Sequence, residues 1–75
     1  MKLTIEQALQ CGVAAHKEGN LQEAEKLYRS ILATQPHHPD ANHNLGVLAV
    51  GVGEYEEALP FFKAALESNS NQGQY

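Results

Sequence analysis

GVAAHKEGNLQEAEKLYRSIL at residues 12–32 and GVLAVGVGEYEEALPFFKAAL at residues 46–66 are two versions of one sequence, 34 residues apart. The identical pairs are Gly12 and Gly46, Val13 and Val47, Ala15 and Ala49, Gly19 and Gly53, Glu23 and Glu57, Ala24 and Ala58, and Leu32 and Leu66. The similar pairs are Tyr28 with Phe62 and Arg29 with Lys63. One offset kept over this length predicts an internal duplication in which each copy is one structural unit.

Each copy is predicted to contain two helices, because its apolar residues recur at helical spacing. The predicted helices cover about residues 5–18, 20–34, 39–52 and 55–68. Thr4 and Gln7 form a capping-box pair at the first helix, and Asn20 and Glu23 form the same pair at the second. Pro39 suits the first turn of the third helix, where its missing N–H costs nothing. The sequence therefore predicts an all-α protein of four helices.

The duplication also sets the predicted organisation of the chain. The first repeat covers residues 1–38 and the second covers residues 39–72, and a glycine ends the first helix of each repeat. Residues 69–75 are rich in Ser, Asn and Gln and lack periodicity, so we expect a frayed tail there.

Composition narrows the classes of partner. With 75 residues and a formal net charge of -4, the chain has only five Lys and Arg residues, too few and too scattered to neutralise a nucleic-acid backbone. It has no apolar run long enough to span a membrane. The single cysteine, Cys11, excludes an internal disulfide and fits the cytoplasm. We expect no nucleic acid, membrane or cofactor as partner.

These residues resemble the tetratricopeptide repeat family over residues 5–72. Gly12 and Gly46 fall at the family's small eighth position, Ala24 and Ala58 at its twentieth and Tyr28 and Phe62 at its aromatic twenty-fourth. The resemblance implies antiparallel helix–turn–helix repeats stacked into an α–α superhelix that binds proteins. Ala8 and Asn42 depart from the family, which often has a large residue there, and lighter packing within each repeat is expected.

In this family the first helices of the repeats line a concave groove that binds partner peptides. Transferred position by position, the groove comprises Glu6, Leu9, Gln10, Val13, Lys17, Asp40, His43, Asn44 and Val47. Gln10 and Asn44 share the sixth repeat position and resemble the asparagine ladder of O-linked N-acetylglucosamine transferases, where side-chain amides bind a peptide backbone. Solvation of an exposed helix face explains Asn44 equally well. The family's carboxylate clamp fits poorly, because apolar residues replace two of its positions.

The resemblance also implies an incomplete solenoid, since about three repeats are usually needed for stability. We expect the chain to be a piece of a longer protein, with an apolar stripe of Leu59, Phe62, Ala65 and Leu66 exposed on the fourth helix. Self-association is then expected, either by end-to-end stacking or by exchange of a helical hairpin.

Metal-binding and catalytic interpretations are weaker. His37, His38, Asp40 and His43 cluster near the third helix, but a spacing of five between His38 and His43 does not direct them to one point. Cys11 is expected to face the core of its repeat as a buried thiol, and the glutamates that open the fourth helix complement its dipole. We expect no metal site and no catalytic residue. The alternative function is an accessory substrate-recognition domain of a larger enzyme such as a glycosyltransferase.

Overall fold

A computed structural model describes residues 3–73. It contains the helices α1 Ile5–Lys17, α2 Leu21–Thr34, α3 Pro39–Gly51 and α4 Tyr55–Gly73. α1 packs against α2 and α3 against α4, while α3 also contacts both helices of the first pair. The molecule measures 37 × 33 × 18 Å, and the shortest dimension matches two layers of helices, since one helix with side chains is about 10 Å across. The predicted all-α fold of packed helix pairs is confirmed.

The turn inside each repeat is built by a glycine with a positive φ, 83° at Gly19 and 85° at Gly53. Behind Gly19, the backbone N–H of Asn20 donates to the carbonyl of Ala15 at 2.8 Å. This bond closes a Schellman motif, which requires a left-handed residue that glycine adopts without a Cβ clash. The second repeat has the same bond, from Glu54 N to Ala49 O at 2.8 Å. The two predicted helix-ending glycines are thus confirmed, and both repeats turn in the same way.

The two predicted capping boxes have different outcomes. At α1, the Gln7 N–H donates to Thr4 Oγ1 and the Thr4 N–H donates to Gln7 Oε1, both at 3.0 Å, as predicted. At α2, Asn20 occupies the N-cap position but its side chain makes no capping hydrogen bond. That part of the prediction is wrong. The Asn20 N–H already closes the preceding Schellman motif, and the Asn20 backbone, with a ψ of 74°, departs from the extended conformation that a side-chain cap usually has.

α3 begins with Pro39 in its first turn, as predicted, but two side chains fix its start in ways that the sequence did not reveal. His38 is the N-cap, and its Nδ1 accepts a hydrogen bond from the Ala41 N–H at 3.2 Å. Asn42 is only 3% exposed, and its Nδ2 donates to the carbonyl oxygens of Pro36 and His38, each at 3.1 Å. Instead of only lightening the packing, Asn42 binds the inter-repeat loop to α3.

The core joins the two repeats. Tyr28 on α2 is 1% exposed and packs with Leu45 and Leu48 of α3, and a second cluster places Ile31 against Ala41. Since burial of apolar surface is the main favourable term in folding, α3 stabilises both its own repeat and the preceding one.

α4 extends further than predicted. It continues to Gly73, whereas the sequence predicted an end at Ser68 and a frayed tail over residues 69–75. Ser and Asn cost at most about 0.7 kcal/mol each in a helix relative to Ala, and no proline interrupts the segment. The last two residues of the predicted tail lie outside the described residues. Pro60 is tolerated as the sixth residue of α4, and it leaves the Glu56 carbonyl, on an exposed residue, without its intrahelical donor.

Cys11 is exposed, so the prediction of a buried thiol is wrong. The position 34 residues later is Leu45, which is 2% exposed because α2 covers that side of α3. α1 is the first helix of the described chain, and its corresponding side faces solvent. The same repeat position is therefore buried in one repeat and open in the other.

Candidate functional site

A cavity of about 240 Å³, here called the groove cavity, lies between α1 and α3. Val13, His16 and Lys17 line it from α1, and Asn44 lines it from α3. The ring of the deeply buried Tyr28 contributes from α2. The cavity thus combines an apolar wall, a cation and a side-chain amide that can both donate and accept hydrogen bonds.

The nine predicted groove residues lie in different parts of the structure. Val13, Lys17 and Asn44 meet at the groove cavity, as described, while Leu9 is half-buried and packs against both core clusters. Asp40 and His43 line a different cavity, at the end of the molecule. The remaining predicted residues are exposed; they are Glu6, Gln10 and Val47.

His16 and Tyr28 belong to the groove cavity but were not among the predicted groove residues. His16 is three residues after Val13, which places both on one face of α1. That spacing was visible in the sequence. The contribution of Tyr28 was not, because it depends on how deeply the α2 ring reaches between α1 and α3. Burial raises the pKa of Tyr28 above its usual value, since the charged phenolate is disfavoured away from water.

The outer side of α4 carries Tyr55, Leu59, Phe62 and Leu66, and this set is here called the end face. Tyr55 is 65% exposed, Leu59 68% and Leu66 67%. Phe62 is half-buried, and its ring centroid lies 5.6 Å from that of His43. Ala65, predicted as part of the exposed stripe, is buried. A cavity of about 430 Å³ lies beside this face, lined by Pro39, Asp40, His43, Phe62, Ala65 and Leu66.

The histidines near α3 are used in other ways than as a ligand set. His38 caps α3 through Nδ1, and His43 contacts the Phe62 ring. Within residues 3–73, no three His, Cys, Asp or Glu side chains lie close enough together to hold one metal ion.

A further cleft, of about 250 Å³, separates α2 from the second repeat. Its Arg29 Nε donates to Glu25 Oε2 at 2.8 Å, and the guanidinium carbon lies 5.8 Å from the ring centroid of Phe61. Arg29 therefore connects the repeats through an ion pair within α2 and a cation–π contact to α4. Glu54 and Glu57 also line this cleft and are exposed.

The sequence model of a family described as tetratricopeptide repeat matches residues 15–75, which is most of the chain. No solved structure matches the chain significantly. In the part of the chain that the structure describes, none of the helices is both long enough and apolar enough to cross a membrane.

Proposed function

Because the chain belongs to the tetratricopeptide repeat family, we propose that it is a protein-interaction module that binds an extended peptide or a partner helix along the surface between α1 and α3. Repeats of this family generally mediate protein–protein interactions and are typically non-catalytic scaffolds. The observation that carries the proposal is the groove cavity, where Lys17 and Asn44 flank the apolar wall of Val13.

The chemistry of the groove cavity suits a peptide backbone. The Asn44 amide can donate to a peptide carbonyl and accept from a peptide N–H, and Lys17 offers a cation to a carbonyl or an acidic side chain. Val13, which is half-buried, provides apolar contact for a side chain of the partner. Such a site recognises the backbone first, so many extended sequences of suitable charge would bind.

The test is a binding measurement with peptides selected from a library of extended, disordered sequences. Asn44→Ala is expected to weaken binding by roughly five- to tenfold, the equivalent of one net hydrogen bond of about 1 kcal/mol. Asn20→Ala is the matched control, because the Asn20 side chain is exposed and makes no capping hydrogen bond. Undiminished affinity of the Asn44→Ala protein would exclude the role given to this amide.

Self-association is the second part of the proposed function. Three large apolar side chains on the end face are about two-thirds exposed, and an apolar patch of this kind is typical of an interaction surface. We propose that copies of the chain associate there in the cytoplasm, without cofactor or catalytic activity of their own.

The alternative is an accessory substrate-recognition domain of a larger enzyme such as a glycosyltransferase. Asn44 at the groove cavity and Gln10, exposed on α1 at the matching repeat position, favour it, because they could act as two steps of an amide ladder. Affinity capture discriminates the two functions. Enrichment of many disordered proteins supports the scaffold, whereas reproducible enrichment of one catalytic chain supports the accessory domain.

A further inference from the structure

The internal duplication provides a template for what the end face accepts. In the first repeat, α3 covers the outer side of α2, so that Tyr28 is 1% exposed and Leu32 is half-buried. The matching residues of α4 are Phe62, which is half-buried, and Leu66, which is 67% exposed. The end face is thus the counterpart of a surface that a helix covers elsewhere in the same molecule.

We infer that a second copy of this chain covers the end face by placing its own α4 against it, antiparallel and across a two-fold axis. This inference rests on the proposed self-association and specifies its geometry. A two-fold interface uses the same patch on both copies, so the patch must be compatible with itself. The end face meets that condition, because Tyr55, Leu59, Phe62 and Leu66 are all uncharged.

The opposite end of the molecule is a poor partner for the end face. α3 covers α2 with Ala41, Leu45 and Leu48, all at most 6% exposed. The residues of α1 at the same repeat positions are exposed, and they are Gln7, Cys11 and Ala14. At these positions α1 has the smaller Cys11 and Ala14 where α3 has leucines, and it has the polar Gln7 where α3 has an alanine. Head-to-tail stacking through α1 would bury little apolar surface, so the assembly closes at two copies.

The charges beside the end face fit an antiparallel pair. At 100° per residue, Glu56, Lys63 and Glu67 lie on one flank of α4, next to the stripe of Leu59 and Leu66. In an antiparallel helix pair, the same flanks of the two helices face each other. With the two-fold axis at the middle of the end face, Lys63 of each copy lies nearly level with Glu56 of the other, and these two ion pairs offset part of the repulsion between two chains of charge -4.

Sedimentation or light scattering over a concentration series tests the surface. The wild-type chain of 8.2 kDa is expected to reach twice this mass and no more. Leu59→Glu is expected to abolish the dimer, and Lys63→Glu to weaken it by roughly fivefold through two exposed ion pairs. The controls carry the same charge changes on exposed positions elsewhere, Ala14→Glu on α1 and Lys26→Glu on α2. They should dimerise like the wild type, and circular dichroism should show that all variants are folded.

Thiol cross-linking tests the orientation, because Cys11 is the chain's single cysteine and is exposed on α1. A Cys11→Ser, Leu59→Cys protein treated with a short bis-maleimide should give a covalent dimer joined at position 59. The wild type, with only Cys11, should remain monomeric on a denaturing gel. A protein with both thiols that forms a ladder through 11–59 links would overturn the two-fold arrangement and establish head-to-tail stacking.

The outcomes separate this inference from the proposed function. A ladder with 11–59 links contradicts the two-fold geometry and leaves self-association standing. A wild-type chain that is monomeric at every concentration contradicts both. Peptide binding at the groove cavity is measured independently, so it can succeed or fail without reference to either result.

Discussion

Two glycine–ring contacts test how tightly each repeat is packed at the level of single residues. A Cβ added at Gly12 would lie 2.5 Å from a ring carbon of Tyr28, and one added at Gly46 would lie 2.6 Å from a ring carbon of Phe62. Both distances require the ring to move. Tyr28 is enclosed, whereas Phe62 is half-buried and has space on its outer side. The same substitution should therefore have different consequences in the two repeats.

We expect Gly12→Ala to destabilise the protein by about 1–2 kcal/mol. Overpacking costs about 1–3 kcal/mol, and a gain in helix propensity of up to about 1 kcal/mol offsets part of it. Gly46→Ala should stay within about 1 kcal/mol of the wild type. Urea denaturation measures both. Gly51→Ala, at the last residue of α3, is the control for adding a Cβ without overpacking, because nothing beyond its chain neighbours and its own helix backbone lies within 4 Å of the added Cβ. Equal losses in the free energy of unfolding for Gly12→Ala and Gly46→Ala would contradict the expected difference between the repeats.

The buried ring of Tyr28 also predicts a pH dependence of stability. Burial raises the pKa of Tyr28 in the folded state, while an unfolded tyrosine titrates near pH 10. Below about pH 10 both states hold the proton and stability is unaffected. Above it the unfolded chain ionises first, so the free energy of unfolding falls as pH rises toward the folded-state pKa.

Denaturation at about pH 9 and about pH 11 measures this effect. Tyr28→Phe should lose less stability between the two pH values than the wild type does. Tyr55→Phe, at a position 65% exposed, should lose as much as the wild type. All other residues are the same in the three proteins, so their contributions cancel in the comparison. Identical losses in all three would show that Tyr28 ionises as easily in the fold as outside it.

Some residue roles follow from sequence and others do not. The small residue at Gly12 and the ring at Tyr28 could be paired from their repeat positions, because that contact lies within one repeat. The exposure of Cys11 could not, because it depends on whether another repeat packs against α1. The role of Asn42 depends on carbonyl groups in a loop whose path the residue pattern does not specify.

At the scale of helices and loops, the side chain of Asn42 holds the inter-repeat loop against α3 through two hydrogen bonds. Asn42→Ala removes the two side-chain hydrogen bonds to the carbonyls of Pro36 and His38, and at about 0.5–1.5 kcal/mol for each net bond we expect a loss of about 1–3 kcal/mol. Asn42→Asp should cost more, because a carboxylate would face the same two oxygens. Thermal unfolding measures both variants.

The N-cap of α3, His38, provides the control for the Asn42 variants. His38→Ala removes the bond to the Ala41 N–H but leaves the Asn42 bonds in place, and a lost cap costs typically about 1 kcal/mol. If the loop is held by Asn42, amide hydrogen exchange in residues 35–38 should quicken more in Asn42→Ala than in His38→Ala. The reverse order would assign the loop's stability to the cap.

Helix boundaries were predictable where one residue type determines them. Gly19 and Gly53 end their helices because the turn requires a positive φ, and Thr4 begins α1 because its hydroxyl satisfies a free N–H. Where only average propensity was available, as over Ser68–Gly73, the predicted end was wrong. Ser and Asn cost at most about 0.7 kcal/mol each relative to Ala in a helix, too little for any one of them to specify a boundary.

At the scale of the whole molecule, the two repeats have nearly the same local structure but unequal burial. α3 covers the outer side of α2, whereas no described helix covers the outer side of α4, which packs against α3 through its other side. The sequence predicted the open side from the number of repeats. It could not predict which side chains of the apolar stripe are exposed. Ala65 is buried, whereas Leu59 and Leu66 are in solvent.

This difference in burial predicts that a second copy of α3, added after α4, would cover the end face. Since residue 34 matches residue 68 in the duplication, joining a copy of residues 35–53 directly after Ser68 places a second α3 in register with α4. Its Ala41, Leu45 and Leu48 equivalents should cover the end face as the originals cover α2. Burying a leucine fully contributes about 1.5–3 kcal/mol. We expect a net gain of at least about 2 kcal/mol, or roughly 10 °C in Tm for a domain of this size.

The lengthened chain should also be monomeric. A matched version with serine at the two appended leucine equivalents should gain little and still dimerise. If both versions were equally stable, the end face would not be the surface that limits the stability of this molecule.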